Sequence, residues 1–250
     1  DTITGSGDTR IEYSDAAAAV TVNLAAGSAS GTGSGIGTDN FTGVDGVIGS
    51  AFNDVLTGGN ANGTESFRGG AGNATITGGS GLDRADYYDV SATQAVTVNL
   101  ATSVALDGFG GTDTLSGIEW IRGSKLNDLL TGDTGDNVIQ GADGNDTIDG
   151  GAGTDKASYL NDTAGVTVDL GVDNQATQAT VFDAFGGTDT LINIEDLQGS
   201  WYADTLKGDA GANTLEGLQG ADTLSGKGGA DVFRYTSKQH STTTDTDTIT

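Results

Sequence analysis

Residues 123–159 read GSKLNDLLT, GDTGDNVIQ, GADGNDTID and GGAGTDKAS, then Tyr159: four consecutive nine-residue units that each open on glycine. The sixth residue is Asp128, Asp146 or Asp155 in three of them and Asn137 in the other; the eighth is Leu130, Ile139, Ile148 or Ala157. This period leaves little choice of fold. The first six residues make a turn, where glycine supplies positive φ. The last three form a short strand whose middle side chain faces a core while its neighbours face water. Two units make an 18-residue coil with two turns and two strands. One coil buries too little to stand alone, so stability comes from stacking on the next.

The same grammar recurs. Residues 199–234 supply GSWYADTLK, GDAGANTLE, GLQGADTLS and GKGGADVFR, with Asp204, Asn213, Asp222 and Asp231 sixth and Leu206, Leu215, Leu224 and Phe233 eighth. Residues 49–86 are a poorer copy. Asp54 and Asp83 are in place, but 58–68 is two residues too long and Ala74 stands where an acid belongs. Between blocks lie alternating strand patterns (AVTVNL at 19–24 and 95–100, GVTVDL at 165–170) and Gly-Thr-Asp turns. The closing tyrosines, Tyr13, Tyr87, Tyr159 and Tyr235, recur every 72 to 76 residues, about four coils, so the intervening stretches are expected to be two divergent coils each. The glycine- and serine-rich run 27–37 reads as a decorated turn rather than a linker. The expected fold is all-β: a parallel β-roll or β-solenoid of about 18-residue coils stacked into a rod. It is read as one continuous array over 1–250, with long repeats at 14–87, 88–159 and 160–235 and a flanking segment starting in 236–250. The opening residues resemble the tail of another block, which suggests a fragment of a longer protein.

Charge sets what such an array needs. There are 35 acidic and 10 basic residues, a net charge of −25, which excludes nucleic-acid and anionic-membrane binding by charge. No apolar run approaches the roughly 18 residues of a membrane span. With 35% hydrophobic and 6% aromatic residues, the chain would be disordered unless something neutralised its carboxylates. Stacking at a spacing of 18 pairs Asp128 with Asp146, Asn137 with Asp155, Asp204 with Asp222 and Asn213 with Asp231. A hard dication taking oxygens from both turns removes their repulsion, and turn carbonyls complete its shell; Gly135, Gly144, Gly151, Gly153, Gly211 and Gly220 are candidates. Ca2+, which accepts roughly six to eight flexible oxygen ligands, suits this better than Mg2+. Zinc is disfavoured, because the chain has no cysteine and one histidine, His240.

Units such as 141–149 and 150–158 resemble the G-G-x-G-x-D-x-(aliphatic)-x nonapeptide of the RTX, or hemolysin-type calcium-binding, proteins. The resemblance implies a parallel β-roll holding calcium ions between adjacent turns, one-step bacterial export, and folding outside the cell when calcium is met. It is specific in 123–159 and 199–235, partial in 49–87 and only suggestive between. Asn137 and Asn213 depart from the family aspartate, which predicts a weaker edge in each block.

Other features carry competing readings. Asp39, Asp113 and Asp189 each lie 15 residues before Asp54, Asp128 and Asp204, so they share a place in the roll, either as further ligands or as solvated turn aspartates. The four tyrosines are expected to close blocks by packing. Trp120 and Trp201, with Tyr202, suggest a sugar-stacking platform, but their different contexts favour isolated packing roles. Thr-x-Asn/Asp triplets at Thr21, Thr97 and Thr167 fall too far apart for an ice-binding face. Enzyme signatures are missing: there is no Gly-x-Ser-x-Gly and no His-Glu-x-x-His. The ten basic residues are scattered, unlike the basic groups that lyases gather around acidic sugars. The expectation is a non-catalytic, extracellular calcium-binding β-roll of a secreted or cell-surface adhesin, surface-layer or matrix protein, whose partners are calcium ions, copies of itself or cell-surface components. The alternative is the calcium-dependent accessory domain of a secreted hydrolase or toxin.

Overall fold

A computed structural model describes residues 1–6, 8–59, 63–171, 179–182, 187–236 and 246–250. His240 and most of the flanking segment at 236–250 lie outside the described residues. Those described contain strands and turns but no helix. The chain divides into two compact units, Asp1–Arg122 and Gly123–Thr250.

In the second unit, consecutive nine-residue segments alternate between two parallel sheets, here A and B. Leu129–Thr131 pairs with Thr147–Asp149 in sheet A, and Val138–Gln140 with Lys156–Ser158 in sheet B. The registers Leu130↔Ile148 and Ile139↔Ala157 are the predicted spacing of 18. Thr205–Lys207 on Thr223–Ser225 and Thr214–Glu216 on Val232–Phe233 repeat it. The eighth-position side chains Leu130, Ile139, Ile148, Ala157, Leu206, Leu215 and Leu224 are at most 1% exposed, a single aliphatic column between the sheets. Phe233, at the end of the column, is only half-buried.

The intervening stretches are not two ordinary coils. Thr167–Asp169, Ala179–Phe182 and Thr188–Ile192 form an antiparallel meander within sheet A. Its last strand pairs with Thr147–Asp149 of the block before, and its first with Thr205–Lys207 of the block after. The chain therefore leaps ahead, then returns strand by strand to fill the gap. Among the described residues of this stretch, only Asp196–Gln198 joins sheet B, between Lys156–Ser158 and Thr214–Glu216.

The first unit contains the meander twice, as Thr21–Asn23, Ser28–Gly31 and Gly37–Thr42, and as Thr97–Asn99, Val104–Leu106 and Thr112–Ser116. The reversal has a local cause. Asn23 Oδ1 accepts the Ala26 N–H and Gly27 sits at φ 62°; Asn99 Oδ1 accepts the Thr102 N–H and Ser103 sits at φ 61°. An Asx-type turn ending on a left-handed residue sends the chain straight back. The glycine- and serine-rich run 27–37 thus becomes the middle strand and its turns. The Thr21 triplet pairs in parallel with Val55–Thr57, not with another triplet. Sheet B of this unit runs Arg10–Glu12, Gly46–Ile48, Thr64–Arg68, Leu82–Asp86, Trp120–Arg122, all parallel.

Two packing expectations need correction. Trp201 and Tyr202 are 46% and 49% exposed at a turn and pack into no core, because they occupy the third and fourth positions of a unit, where the turn faces water. Tyr13, Tyr87 and Tyr159 are buried as expected, whereas Tyr235 stays exposed beside Asp247.

Candidate metal centres

The nonapeptide opens on glycine because of its own sixth residue. A Cβ on Gly123 would sit 2.5 Å from Asp128 Oδ2, and one on Gly150 2.6 Å from Asp155 Oδ2. Gly141 stands in the same relation to Asp146, Gly199 to Asp204, Gly217 to Asp222, Gly226 to Asp231, and Gly132 and Gly208 to Asn137 and Asn213. The missing methyl is the space into which the carboxylate folds back.

Once there, the side chain is held by backbone amides of its own turn. Asp128 Oδ2 accepts the Ser124 N–H at 2.5 Å and its Oδ1 the Ser124 hydroxyl at 2.8 Å; Ser50 serves Asp54 and Ser200 serves Asp204 in the same way. Asn137 and Asn213 use Oδ1 for the corresponding amides of Asp133 and Asp209, both at 2.8 Å. This explains why asparagine is tolerated: the turn asks for an oxygen, not a charge. Asn213 Nδ2 also donates to the Glu195 carbonyl at 2.8 Å, a bond that aspartate would forfeit.

Successive coils are joined through the same groups. The N–H of Asp128 donates to Asp146 Oδ1 at 2.8 Å, Asn137 to Asp155 at 2.7 Å, Asp204 to Asp222 at 2.9 Å and Asn213 to Asp231 at 3.1 Å. All four predicted pairs are neighbours, but through carboxylate and amide rather than two facing carboxylates. Among the described residues, no group of three or more His, Cys, Asp or Glu side chains gathers into a preformed metal cage.

Asp39, Asp113 and Asp189 do share one place in the roll. Asp113 Oδ1 accepts the Ala74 N–H and Oδ2 the Tyr87 hydroxyl at 3.2 Å; Asp189 takes the Asp146 N–H and the Tyr159 hydroxyl; Asp39 takes the Tyr13 hydroxyl at 3.0 Å. They are buried, so the solvated-turn alternative is corrected: Tyr13, Tyr87 and Tyr159 each donate to the Gly-Thr-Asp aspartate that follows.

Sequence reasoning missed three glutamates in the same columns. Glu119 accepts the Asp83 N–H at 3.1 Å, Glu195 the Asp155 N–H at 2.9 Å, and Glu65 the Gly59 N–H at 2.7 Å. Glu119 and Glu195 stand just before a three-residue strand, as a sixth-position aspartate does, and that was the available signal. A second ladder, also missed, runs through fifth positions: Asn127 Oδ1 accepts the Asn145 N–H, Asn145 that of Thr188, and Asp136 that of Thr154.

Electrostatically the columns are loaded. Burial pushes Asp113 and Asp155 up to about 7 and Asp83 and Asp204 to about 6; for Asp155 the charge of Glu195 adds to this, and for Asp83 those of Glu65 and Glu119. Burial also raises Asp54 and Glu195. Both carboxylate oxygens of Asp83 and Oδ2 of Asp155 are buried without a hydrogen-bond partner of ordinary geometry. For Asp83 the Glu65 amide is the one group favouring the charged form.

The turns themselves stack closely. A Cβ on Gly144 would meet the Leu126 carbonyl oxygen at 2.7 Å, one on Gly153 that of Gly135 at 2.6 Å, and one on Gly220 that of Tyr202 at 2.5 Å. Gly151 stands likewise over Asp133, and Gly229 over Gly211. The carbonyls of Gly135 and Gly211 thus face the next turn, whereas Gly144, Gly151, Gly153 and Gly220 admit the carbonyl of the turn before. Buried carboxylate oxygens short of donors, together with turn carbonyls that face the next turn, are an oxygen-only donor set of the kind a calcium ion takes.

A family model, the RTX calcium-binding nonapeptide repeat, matches in four copies, at residues 39–62, 61–86, 122–157 and 198–233. No curated protein matches the chain. Calcium binding and the all-β roll follow from the same repeats. The chain carries four copies of the RTX calcium-binding nonapeptide repeat.

Proposed function

We propose that this chain is a calcium-folded, non-catalytic β-roll of a secreted or cell-surface protein, serving as a structural part of an adhesin, surface layer or matrix. The supporting observation is the column of buried carboxylates in a chain of net charge −25, with buried oxygens of Asp83 and Asp155 that have no hydrogen-bond partner of ordinary geometry. Asp54, Asp83, Asp128, Asp146, Asp155, Asp204, Asp222 and Asp231, with Asn137 and Asn213, supply side-chain oxygens to the ions, and turn carbonyls such as those of Gly135 and Gly211 complete their shells. Asp113 and Asp189 act beside them as tyrosine-anchored members of the same columns.

Folding and binding are one event in this reading. Without calcium, repulsion and a core one side chain wide keep the chain expanded and fit for export. Outside the cell the ions neutralise the columns and the coils stack. Circular dichroism and hydrodynamic radius should switch together, and cooperatively, as calcium is added. A compact β signal that persists unchanged after chelation would sink the proposal.

A further inference from the structure

The four arginines of residues 1–122, the only basic residues in that span, are far apart in sequence but lie together on the outer face of sheet B. Strand register sets Arg10, Gly46, Ser66, Arg84 and Trp120 in one row across five strands. The next row carries Arg68, which pairs with Asp86 at 3.0 Å, and Arg122, whose guanidinium lies 4.1 Å from the Tyr88 ring centroid. Arg84 donates through Nε and Nη2 to Ser66 Oγ at 3.3 and 3.0 Å, while its guanidinium lies 4.9 Å from the Trp120 centroid. Burial and the other three arginines lower the pKa of Arg84 against the help of Asp86, yet a guanidinium stays charged. Gathering like charges is unfavourable, so the cluster calls for a reason.

A groove of about 560 Å³ opens along this row, with Arg10 on one side and Arg84 and Trp120 on the other. The two smallest residues of the row, Gly46 and Ser66, lie between them. Asp8, Glu12 and Asp45 also line it. The indole Nε1 of Trp120 is buried with no hydrogen-bond partner.

We propose that this groove binds an acidic saccharide, a chain of hydroxylated rings bearing carboxylates. Arg10 and Arg84 present guanidinium forks to ring carboxylates. Asp8, Glu12 and Asp45 accept ring hydroxyls, and Trp120 offers its indole N–H. Against the three acids, a polyphosphate or nucleic acid, with its denser charge, is less favoured than a saccharide whose carboxylates are spaced by hydroxylated rings, and a neutral sugar would offer neither guanidinium a carboxylate. The volume falls within the roughly 300–1,000 Å³ typical of small-molecule sites. The inference does not depend on which turns hold calcium.

The test uses the full chain at fixed, buffered free calcium, titrated with a uronic-acid tetrasaccharide and with the same tetrasaccharide after reduction of its carboxyls. The acidic sugar should bind at least about tenfold more tightly and change Trp120 fluorescence, which Trp120→Phe removes. Arg10→Gln and Arg84→Gln should each weaken binding about tenfold, the loss of one charge-assisted contact, while Arg234→Gln should not. Arg10 is exposed, so its variant keeps the calcium-dependent circular dichroism and remains informative should Arg84→Gln fail to fold. Equal affinity for the two sugars, unchanged affinity in Arg10→Gln, or no binding of the acidic tetrasaccharide at millimolar concentration would overturn the proposal.

Discussion

The coupling between a unit's first and sixth residues makes a sharp prediction at Gly141. A Cβ there would stand 2.9 Å from Asp146 Cγ and 3.1 Å from Asp146 Cβ, and its three nearest atoms all belong to Asp146. Gly141 needs no left-handed backbone, so alanine is strained by that contact alone. Gly141→Ala must drive the Asp146 side chain from its place and break the 2.8 Å bond from the Asp128 N–H. A hydrogen bond to a charged group contributes about 1.5–3 kcal/mol, and a buried amide left unpaired costs about 1–3 kcal/mol. A loss of about 3 kcal/mol follows, which for a chain this size lowers the melting temperature by about 6–12 °C. The assay is thermal melting in saturating calcium, with Asp146→Ala and the double variant completing a cycle. Asp146→Ala should cost a similar amount, and Gly141→Ala should add almost nothing to it. The comparison substitution is Gly135→Ala, whose Cβ would meet only Asp133 Oδ1 at 3.4 Å and which should shift stability by less than about 0.5 kcal/mol. Additive costs for Gly141→Ala and Asp146→Ala, or a neutral Gly141→Ala, would refute the coupling.

Two further outcomes are expected. The carboxyls of Asp113 and Asp155, raised by burial to about 7, and those of Asp83 and Asp204, raised to about 6, start from 3.8 in the unfolded chain. Between about pH 4 and 7 the folded state therefore holds more protons, so the calcium-free fold gains stability as pH falls through that window and loses it as pH rises; β-structure in chelator should be greater at pH 5 than at pH 7.5, and the reverse order would contradict the burial of these groups. The asparagines should respond unequally to aspartate: Asn137→Asp lowers the calcium midpoint by adding a charged ligand, whereas Asn213→Asp also loses the Nδ2 bond to Glu195 and turns a carboxylate toward that carbonyl, so its melting temperature in limiting calcium should fall.

What sequence made legible was whatever repeats at a fixed spacing. The interval of 18 gave the parallel register of Leu130 with Ile148, the inward eighth position and the four neighbouring pairs of sixth-position residues, because each depends only on residues within one or two coils. The meanders escaped because VTVNL alternates equally well in a parallel or an antiparallel strand; the deciding residues were Asn23 and Asn99, whose side chains close a reversal over three residues. Glu119 and Glu195 escaped because irregular stretches had broken the numbering that marked sixth positions. The arginine face was the least legible of all. Positions 66, 84 and 120 keep the interval of 18 or twice it, but the 20 residues between 46 and 66 put Arg10 out of step with them, and the residue types along the row do not repeat.

That contrast separates two kinds of constraint on the chain. The inner columns must repeat, since each carboxylate accepts an amide from the coil before it, and one wrong residue exposes the next; where an acid is lacking, as at Ala74, the column resumes only at Asp113, which takes the Ala74 N–H. The outer faces carry no such obligation, because alternate strand positions face water whichever coil they belong to. Departures from the repeat that place four arginines, Trp120 and Tyr88 on one outer face therefore cost the roll little, and the same fold is free to present a different surface on each face. A variant that strips this face, such as Arg10→Gln, should leave the calcium midpoint within twofold of the parent, while Gly141→Ala in the columns should raise it by more than about tenfold, the equivalent of at least 1.4 kcal/mol. Equal shifts for the two would mean that inner columns and outer face are not separable after all.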